Sequence, residues 1–291
     1  MQRANLSTGS TADFAVLMCG LPGKMGHSVA ETVVKRWGAG ALLPFSSTGP
    51  GMPDSVDVVG KGAVKLMGPE QRDAEWGHVL EAAQGRPIIA IDYTHPDVAV
   101  DNVAWYRGKG LPFVMGTTGY DEKACREAIG GDLYAVLAPN MGKPIVLLQS
   151  MLAHAAETYP GGLGGYKLNV VESHQKGKAD TSGTAKAVVN SLAKLTAASY
   201  DVEEIQMIRE PQEQLEFGVA EDFIPGHAYH TYTLTSPDGT VELEIKHNVD
   251  GRAVYGEGTC DAVEFLYAQI QAGTDQRIWS MLDILKAGRM N

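Results

Sequence analysis

The sequence predicts an α/β protein in which a Rossmann-like, parallel-sheet nucleotide-binding domain is joined to an α+β domain with a mostly antiparallel sheet. The first observation is a short apolar run followed by a glycine-rich turn and a helical pattern, in FAVLMCGLPGKMGHSVAETVVKRW. The second is a series of further apolar strands that alternate with helical patterns, which indicates a parallel sheet. The third is the alternation of apolar and polar residues in GHAYHTYTLTSPDGTVELEIKHNVDG, typical of an antiparallel hairpin with one face exposed to water.

The length and the order of these patterns predict two domains. A chain of 291 residues is long enough for about two domains. We expect residues 1–140 and 252–291 to form the dinucleotide-binding domain, and residues 141–251 to form the substrate-binding and oligomerisation domain. The final segments, GTCDAVEFLYAQI and IWSMLDILK, have helical patterns and are expected to return to the first domain.

The composition argues against several classes of protein. A formal net charge of −11 disfavours nucleic-acid binding, which needs a basic surface, and no apolar run approaches the ~20 residues of a membrane span. Cys19, Cys125 and Cys260 are odd in number and widely scattered, which indicates a reducing compartment without a disulfide framework or a zinc motif. The Ser/Thr-rich start has no hydrophobic signal core, and a disordered terminus is favoured over a transit-peptide remnant or a cloning remnant.

Three glycines in the first turn match a dinucleotide-binding fingerprint. Gly20, Gly23 and Gly26 occupy its first, fourth and seventh positions, while a proline stands where another glycine is usual. Gly20 is expected to allow the tight turn, and Gly23 to let the backbone approach a pyrophosphate. Lys24 and Met25 follow in the same turn and are assigned to the cofactor site with them, although packing is the ordinary role of a methionine.

The next strand, GALLPFSS, bears on the choice of cofactor. An enzyme specific for NAD often carries an acid at this strand end, where it holds the ribose hydroxyls. Here Ser46, Ser47 and Thr48 stand at the strand end instead, and the next carboxylate along the chain is that of Asp54. Because hydroxyls do not repel a 2′-phosphate, NADPH is expected as the preferred cofactor, with NADH as the second.

Later strands also end in polar turns. In a doubly wound sheet the ligand lies beyond the carboxyl ends of the strands, so these turns are predicted to line the nicotinamide side. The residues assigned there are Tyr93, Thr94, Gly116, Thr117, Thr118, Pro139, Asn140 and Met141, with packing as the alternative for the methionine.

The stretch VVESHQKGKADTSGTAKAVVNSL begins as a strand and ends as a helix. Ser182 and Thr184 lie where the helix should begin, and their hydroxyls can cap its N–H groups. A helix start attracts anions, and Lys178 adds positive charge. His174 lies upstream and is suited to proton transfer; Lys178 would lower its pKa and a bound carboxylate would raise it, and the sequence leaves both open. Asp180 is expected to orient this loop or cap the helix.

The run ESHQKGKADTSGTA, together with GLPGKMG, IDYTHP, GTTGYD and APNMGKP, resembles the dihydrodipicolinate reductase family along most of the chain. His174 and Lys178 stand four residues apart, as in that family's motif, and its Asp and Ser-Gly-Thr follow. The stretch IKHNVDGR resembles the family's return strand, with His247 and Arg252 in the matching places.

The resemblance implies that hydride passes from NADPH or NADH to a cyclic dicarboxylate derived from aspartate semialdehyde and pyruvate, in the diaminopimelate route to lysine. It also implies a homo-oligomer, either a dimer or a tetramer. The site residues expected are His174 and Lys178 for catalysis, and Gln175, Ser182, Gly183 and Thr184 for substrate binding.

Departures from the bacterial motif make the chain similar to the plant-type branch. Gln175 stands where the bacterial motif has a second histidine, and the proline before Ser-Gly-Thr is missing. A location in the plastid stroma is expected if the source is a plant or an alga, and in the cytoplasm otherwise.

Other interpretations stay open at this point. His227, His230 and His247 lie in one predicted sheet and could suggest a metal, but their separate strands favour hydrogen bonding, so no metal is expected. Arg252 suits a salt bridge at the domain junction as well as it suits a substrate contact. The rival functions are another two-domain NAD(P)-dependent dehydrogenase of amino-acid metabolism and a non-catalytic NADPH-sensing protein. The motif that begins at His174 disfavours both.

Overall fold

The computed structural model describes residues 11–178 and 180–288. The chain divides into two compact units, of which the second is Pro144–Arg252 and the first comprises the segments on either side of it. The functions expected of the two units stay predictions. Within the described residues, no helix combines the length and the apolar character needed to cross a membrane.

The helices and strands follow one another in a regular order. In chain order they are β1 (Ala15–Cys19), α1 (Lys24–Trp37), β2 (Leu42–Ser47), β3 (Ser55–Val58), β4 (Gly62–Met67), α2 (Trp76–Ala83), β5 (Ile88–Asp92), α3 (Ala99–Gly108), β6 (Phe113–Met115), α4 (Glu122–Ile129), β7 (Ala135–Leu137), α5 (Lys143–Thr158), β8 (Lys167–His174), α6 (Gly183–Thr196), β9 (Gln206–Ile208), α7 (Pro211–Glu216), β10 (His227–Thr235), β11 (Glu242–Asp250), α8 (Ala253–Ala272), β12 (Ile278–Trp279) and α9 (Met281–Lys286).

The first unit contains a sheet in the order β12-β7-β6-β5-β1-β2-β4-β3. Its strand pairs are parallel, except that β3 runs antiparallel to β4. Every residue of β1 and of β5 is buried, as expected for parallel strands that are covered by helices on both faces. Strands β2 and β5 lie on opposite sides of β1, so the strand order reverses at β1. The topological switch point therefore lies beside the glycine-rich turn that follows β1. The predicted Rossmann-like sheet is confirmed.

Two details of this sheet differ from the sequence-based prediction. The antiparallel pair of β3 and β4 follows the second strand and was not recognised. Ile278 and Trp279, predicted as helical, form the short strand β12, which pairs with Ala135 and Val136 of β7. Two residues that add to an existing sheet edge carry too little pattern to distinguish a strand from the helix that follows.

The second unit is built on a sheet in the order β11-β10-β8-β9. Strand β10 runs antiparallel to both β8 and β11, and β9 runs parallel to β8. The core lies between this sheet and helices α5 and α6, where Val170 and Tyr232 meet Val188 and Leu192. The mostly antiparallel sheet is confirmed.

The edge strand β11 differs from the prediction of one dry and one wet face. Val241, just before the strand, and Leu243 within it are 43% and 42% exposed. Further along β11, Ile245 packs against the core and Val249 is buried, so the exposed apolar residues are those at the hairpin end of this edge strand.

Candidate active site

The glycine-rich turn between β1 and α1 is packed tightly against its own backbone. Gly20 has a φ of +109°, and a Cβ on it would lie 2.3 Å from the carbonyl oxygen of Tyr93. A Cβ on Gly23 or Gly26 would lie 2.8 Å from the carbonyl oxygen of Gly20. Side chains do not fit at such distances, so the three positions require glycine and the turn presents bare backbone.

Helix α1 begins directly after this turn, at Lys24. It has no acidic residue in its first turn and no side-chain cap. The first N–H groups of a helix lack intrahelical partners and carry the positive end of its dipole. Lys24 is exposed beside them, while Met25 is partly buried. This donor set fits the pyrophosphate of a dinucleotide.

The hydroxyl groups at the end of β2 serve the local backbone. Ser46 and Ser47 are only 0% and 4% exposed. The Ser46 hydroxyl donates to the carbonyl of Ser47 at 3.3 Å, and the Thr48 hydroxyl donates to a carbonyl of the glycine-rich turn at 2.6 Å. The first exposed residue after the strand is Gly49. The absence of a carboxylate, rather than the presence of serine hydroxyls, is therefore the feature of this strand end that bears on the choice between NADPH and NADH.

Asp92, at the end of β5, organises the neighbouring strand ends. It is fully buried, and its Oδ1 accepts hydrogen bonds from the N–H and hydroxyl of Thr94, at 2.9 and 2.7 Å, and from the hydroxyl of Thr117 at 2.9 Å. Its Oδ2 accepts from Tyr106 at 2.6 Å and from Asn102 at 3.3 Å. Sequence reasoning assigned the two threonines to the cofactor site and missed Asp92, although an acid at the end of the apolar run IIAID was a usable signal.

Tyr93 and Gly116 form a matched pair at the ends of β5 and β6. A Cβ on Gly116 would lie 2.3 Å from the Tyr93 ring, so the ring needs glycine at that position. The Tyr93 hydroxyl hydrogen-bonds with the hydroxyl of Thr259 on α8, at 2.7 Å, and burial raises the pKa of Tyr93 well above its usual value. Thr118, two residues after Gly116, is exposed.

The turn after β7 combines one exposed, one partly buried and one buried residue. Pro139 is exposed, and Asn140 Oδ1 accepts a hydrogen bond from the N–H of Gly142 at 2.8 Å. Met141 is 2% exposed, and its carbonyl lies where a Cβ on Gly258 would fall. The Met141 side chain therefore packs in the core, while the turn belongs to the same carboxyl-terminal edge of the sheet as the others. This edge fits a nicotinamide dinucleotide.

A second group of polar residues lies on the sheet of the second unit. His230 on β10 stands directly opposite Glu172 on β8 and His247 on β11. His174 follows Glu172 by two residues and shares its face, because side chains alternate along a strand. The strand register thus gathers four residues that are far apart in the sequence.

Both ring nitrogens of His174 have protein neighbours. Nδ1 lies 3.2 Å from the carbonyl oxygen of His227, and since a carbonyl can only accept, Nδ1 carries a proton. Nε2 lies 3.3 Å from Nε2 of His230. Burial, and then the charges of Arg209 and Lys178, lower the pKa of His174 to about 4. The imidazole is therefore neutral at pH 7 in the free protein.

His230 and His247, the other two histidines on this face of the sheet, are also neutral. Burial, followed by the neighbouring imidazoles, lowers the pKa of His230 to about 2, and burial lowers that of His247 to about 4. The Nδ1 atoms of both rings are buried without a hydrogen-bond partner among the described residues.

Glu172 connects this face of the sheet to the start of α6. It is completely buried; Arg209 contacts its Oε1, and the N–H of Ser182 donates to its Oε2 at 3.1 Å. Arg209 also donates to the carbonyl of Lys178 at 2.8 Å and so holds the loop that carries the lysine. The Ser182 hydroxyl makes no capping bond, so that part of the prediction is wrong: a glutamate carboxylate satisfies the backbone instead. Sequence reasoning missed Glu172 and Arg209, and no motif marks the arginine.

Lys178 points along its own loop toward Asp180. Its Nζ lies 2.8 Å from the Asp180 carboxylate, and the lysine lowers the pKa of that acid. The N–H of Lys178 donates to the carbonyl of Gln175 at 2.9 Å. Gly183 and Thr184 are the first two residues of α6, exposed and partly buried respectively. Asp180 thus orients Lys178, and the lysine, the helix start and His174 belong to one compact unit.

Of the three histidines weighed as metal ligands from the sequence, His230 alone belongs to the group that converges. His227 is engaged elsewhere, since its Nε2 lies 2.8 Å from the Ser173 hydroxyl and its Nδ1 lies 3.0 Å from a backbone carbonyl. Glu172, His174 and His230 instead bring one ligand atom each within 4.8 Å of one another.

Comparisons with known proteins cover nearly the whole chain. The model described as "Dihydrodipicolinate reductase, N-terminus" matches residues 14–141, and "Dihydrodipicolinate reductase, C-terminus" matches residues 144–285. The chain is similar to 4-hydroxy-tetrahydrodipicolinate reductase 1, chloroplastic, of Arabidopsis thaliana, with 42% identity over 95% of this chain and 79% of that protein. It is equally similar to a probable chloroplastic reductase 2 of Oryza sativa subsp. japonica, with 42% identity over 95% of this chain and 84% of that protein.

The fold also has a solved counterpart. A dipicolinate-bound dihydrodipicolinate reductase from Paenisporosarcina sp. TG-14 matches with a TM-score of 0.59 and 18% identity, over 92% of this chain and 97% of that one. At this identity the match supports the fold alone. The family models and the plant relatives together cover both units, and the chain belongs to the dihydrodipicolinate reductase family.

Proposed function

We propose that this chain is an NAD(P)H-dependent 4-hydroxy-tetrahydrodipicolinate reductase of the diaminopimelate route to lysine, that it prefers NADPH, and that His174 and Lys178 carry its chemistry. The observation that carries the proposal is the buried imidazole of His174 beside Lys178 and the start of α6, in a family whose plant members are named for this reaction.

The first unit would hold the cofactor. The N–H groups at the start of α1 and the Lys24 ammonium would bind its phosphates, with the bare backbone of Gly20 and Gly23 allowing close approach. The strand ends organised by Asp92 would hold the nicotinamide half. When bound, the reduced nicotinamide supplies the hydride. NADPH is preferred because no carboxylate at the end of β2 repels a 2′-phosphate.

The second unit would hold the dicarboxylate. Lys178 and the N–H groups at the start of α6 offer positive charge to a substrate carboxylate, with Gln175 and residues 182–184 around it. The Nδ1–H of His174 donates to the His227 carbonyl and fixes the ring, so a proton for the substrate would be carried on Nε2. A bound carboxylate favours the charged imidazolium, which His174 then uses to neutralise the negative charge that hydride addition builds.

The assembly and the location are part of the same proposal. A homo-oligomer, either a dimer or a tetramer, is supported by the exposed apolar residues at the edge strand β11, Val241 and Leu243. A plastid location, if the source is a plant or an alga, is supported by the chloroplastic relatives.

Isotope transfer tests the proposed reaction. The protein is given substrate prepared from pyruvate and aspartate semialdehyde, together with NADPH deuterated on the transferring face of C4, and the product is examined by mass spectrometry. We expect tetrahydrodipicolinate with one added deuterium. A product without deuterium, or no reduced product, would contradict the proposal.

A further inference from the structure

We propose that Glu172, His174 and His230 form an inhibitory binding site for a single zinc ion on the sheet of the second unit. The binding does not depend on the proposed function; the inhibition does, because the ion would occupy the nitrogen of His174 that is assigned to proton transfer.

The ligand atoms already stand at distances that suit zinc. Nε2 of His174 and Nε2 of His230 are 3.3 Å apart, and Nε2 of His230 is 3.7 Å from Oε2 of Glu172. Zinc bonds of about 2.0–2.2 Å in a tetrahedron place neighbouring ligand atoms roughly 3.3–3.5 Å apart. All three atoms lie within 4.8 Å of one another, so bringing the third pair to that separation needs a shift of at most about 1.5 Å. Two histidines and one glutamate with an open fourth position are a ligand set that proteins use for zinc.

The hydrogen-bond partners of His174 and Glu172 are of the kind that metal ligands have. His174 donates its Nδ1–H to the His227 carbonyl, which leaves the lone pair of Nε2 directed at the cluster. Glu172 is held through its other oxygen by Arg209, so its Oε2 is fixed near His230. A ligating carboxylate is ordinarily hydrogen-bonded in this way.

The charges around the cluster work against a cation. Arg209 contacts Glu172 and also holds the loop that carries Lys178, so positive charge lies close to the ligands and repels the ion. We therefore expect binding weaker than at a structural zinc site, but with a stoichiometry of one ion per chain.

Calorimetry and X-ray absorption on the unmodified protein test the binding. Zinc chloride is titrated into the full chain at pH 7 without substrate or cofactor, and the zinc-loaded protein is examined by X-ray absorption at the zinc edge. We expect one ion per chain, with two imidazoles in its first coordination shell. No binding, or a shell without imidazole, would overturn the proposal, whatever the outcome of the reductase assays.

A pair of histidine variants locates the site. His230→Asn should weaken zinc binding at least tenfold, provided that its circular dichroism spectrum matches that of the unmodified protein. The matched control is His78→Asn, because His78 is exposed and paired with Glu75, outside the cluster; it should bind zinc as the unmodified protein does. Equal loss in both variants, or no loss in a folded His230→Asn protein, would contradict the assignment.

Inhibition is then measured with NADPH oxidation. Zinc at a concentration that saturates the calorimetric site should stop turnover, and a chelator should restore it, while the affinity for NADPH stays within twofold. Full activity with the site saturated would show that the ion does not occupy the nitrogen used by the reaction, and would overturn the inhibitory part of the proposal.

Discussion

The N–H of Ser182, at the start of α6, donates a hydrogen bond to the buried carboxylate of Glu172 on β8 at 3.1 Å. An acid of the protein itself thus lies at the helix end where an anionic ligand was expected. The negative charge of Glu172 is offset by the positive charge of Arg209, which contacts the same carboxylate. A substrate carboxylate must therefore rely on Lys178 and on the N–H groups that follow Ser182.

Removing the charge of Lys178 should weaken substrate binding. We expect Lys178→Gln to raise the KM for the dicarboxylate at least tenfold and to lower kcat, because a charge-assisted hydrogen bond to a carboxylate is lost. The affinity for NADPH, measured by fluorescence, should change less than twofold. Lys176→Gln is the matched control, because Lys176 is exposed and paired with Glu210 on the surface. A change in NADPH affinity alone would show that the carboxylate pocket is misplaced.

Replacing the proton donor should affect the chemical step. His174→Ala should lower kcat by a factor of ~10²–10⁴, the range for loss of a general acid, with cofactor binding little changed. The comparison variant is His95→Ala, because His95 is a largely exposed side chain of the first unit and pairs with Asp97. Near-normal turnover of His174→Ala would remove His174 from the mechanism.

A carboxylate introduced after β2 should weaken the preference for NADPH over NADH. Gly49 is exposed, and a Cβ there meets no atom within 4 Å, so an aspartate can be added without a clash. Gly49→Asp should lower the ratio of kcat/KM for NADPH to that for NADH about tenfold, because the new charge repels the 2′-phosphate. Gly49→Asn has the same size without the charge and should leave the ratio unchanged. An equal effect of both variants would mean that charge at this strand end does not select the cofactor.

The hydrogen bonds to Asp92 should contribute measurably to the free energy of unfolding. Tyr106→Phe removes the 2.6 Å bond to a fully buried carboxylate and should lower the free energy of unfolding by about 1–3 kcal/mol. Tyr229→Phe, whose hydroxyl reaches the exposed Asp250, should cost less, about 0.5 kcal/mol. Urea unfolding followed by tryptophan fluorescence measures both. A Tyr106→Phe protein as stable as the unmodified one would show that Asp92 finds another donor or water.

The fold was predictable because its signals are local. The glycines of the first turn, the apolar strands and the Pro237-Asp238-Gly239 hairpin each lie within a short window of sequence. The roles of the polar strand ends were less visible. Thr94 and Thr117 appeared as cofactor contacts, yet both hydroxyls donate to Asp92, because a buried carboxylate takes the nearest donors.

The candidate site was predictable only in its sequence-local part. His174, Lys178 and the start of α6 lie in one motif. Arg209 reaches Glu172 across 37 residues, and His230 reaches His174 across 56, through a strand register that no local pattern specifies. The surroundings that hold His174 neutral therefore became visible only in the folded sheet.

The central claim, that this chain is the reductase, is tested most directly by a coupled assay. Pyruvate and aspartate semialdehyde are condensed by the preceding synthase, and the oxidation of NADPH and of NADH is followed separately at 340 nm after this protein is added. We predict rapid oxidation that requires every component and is faster with NADPH. The absence of oxidation, with NADPH bound tightly by the folded protein, would contradict the assignment.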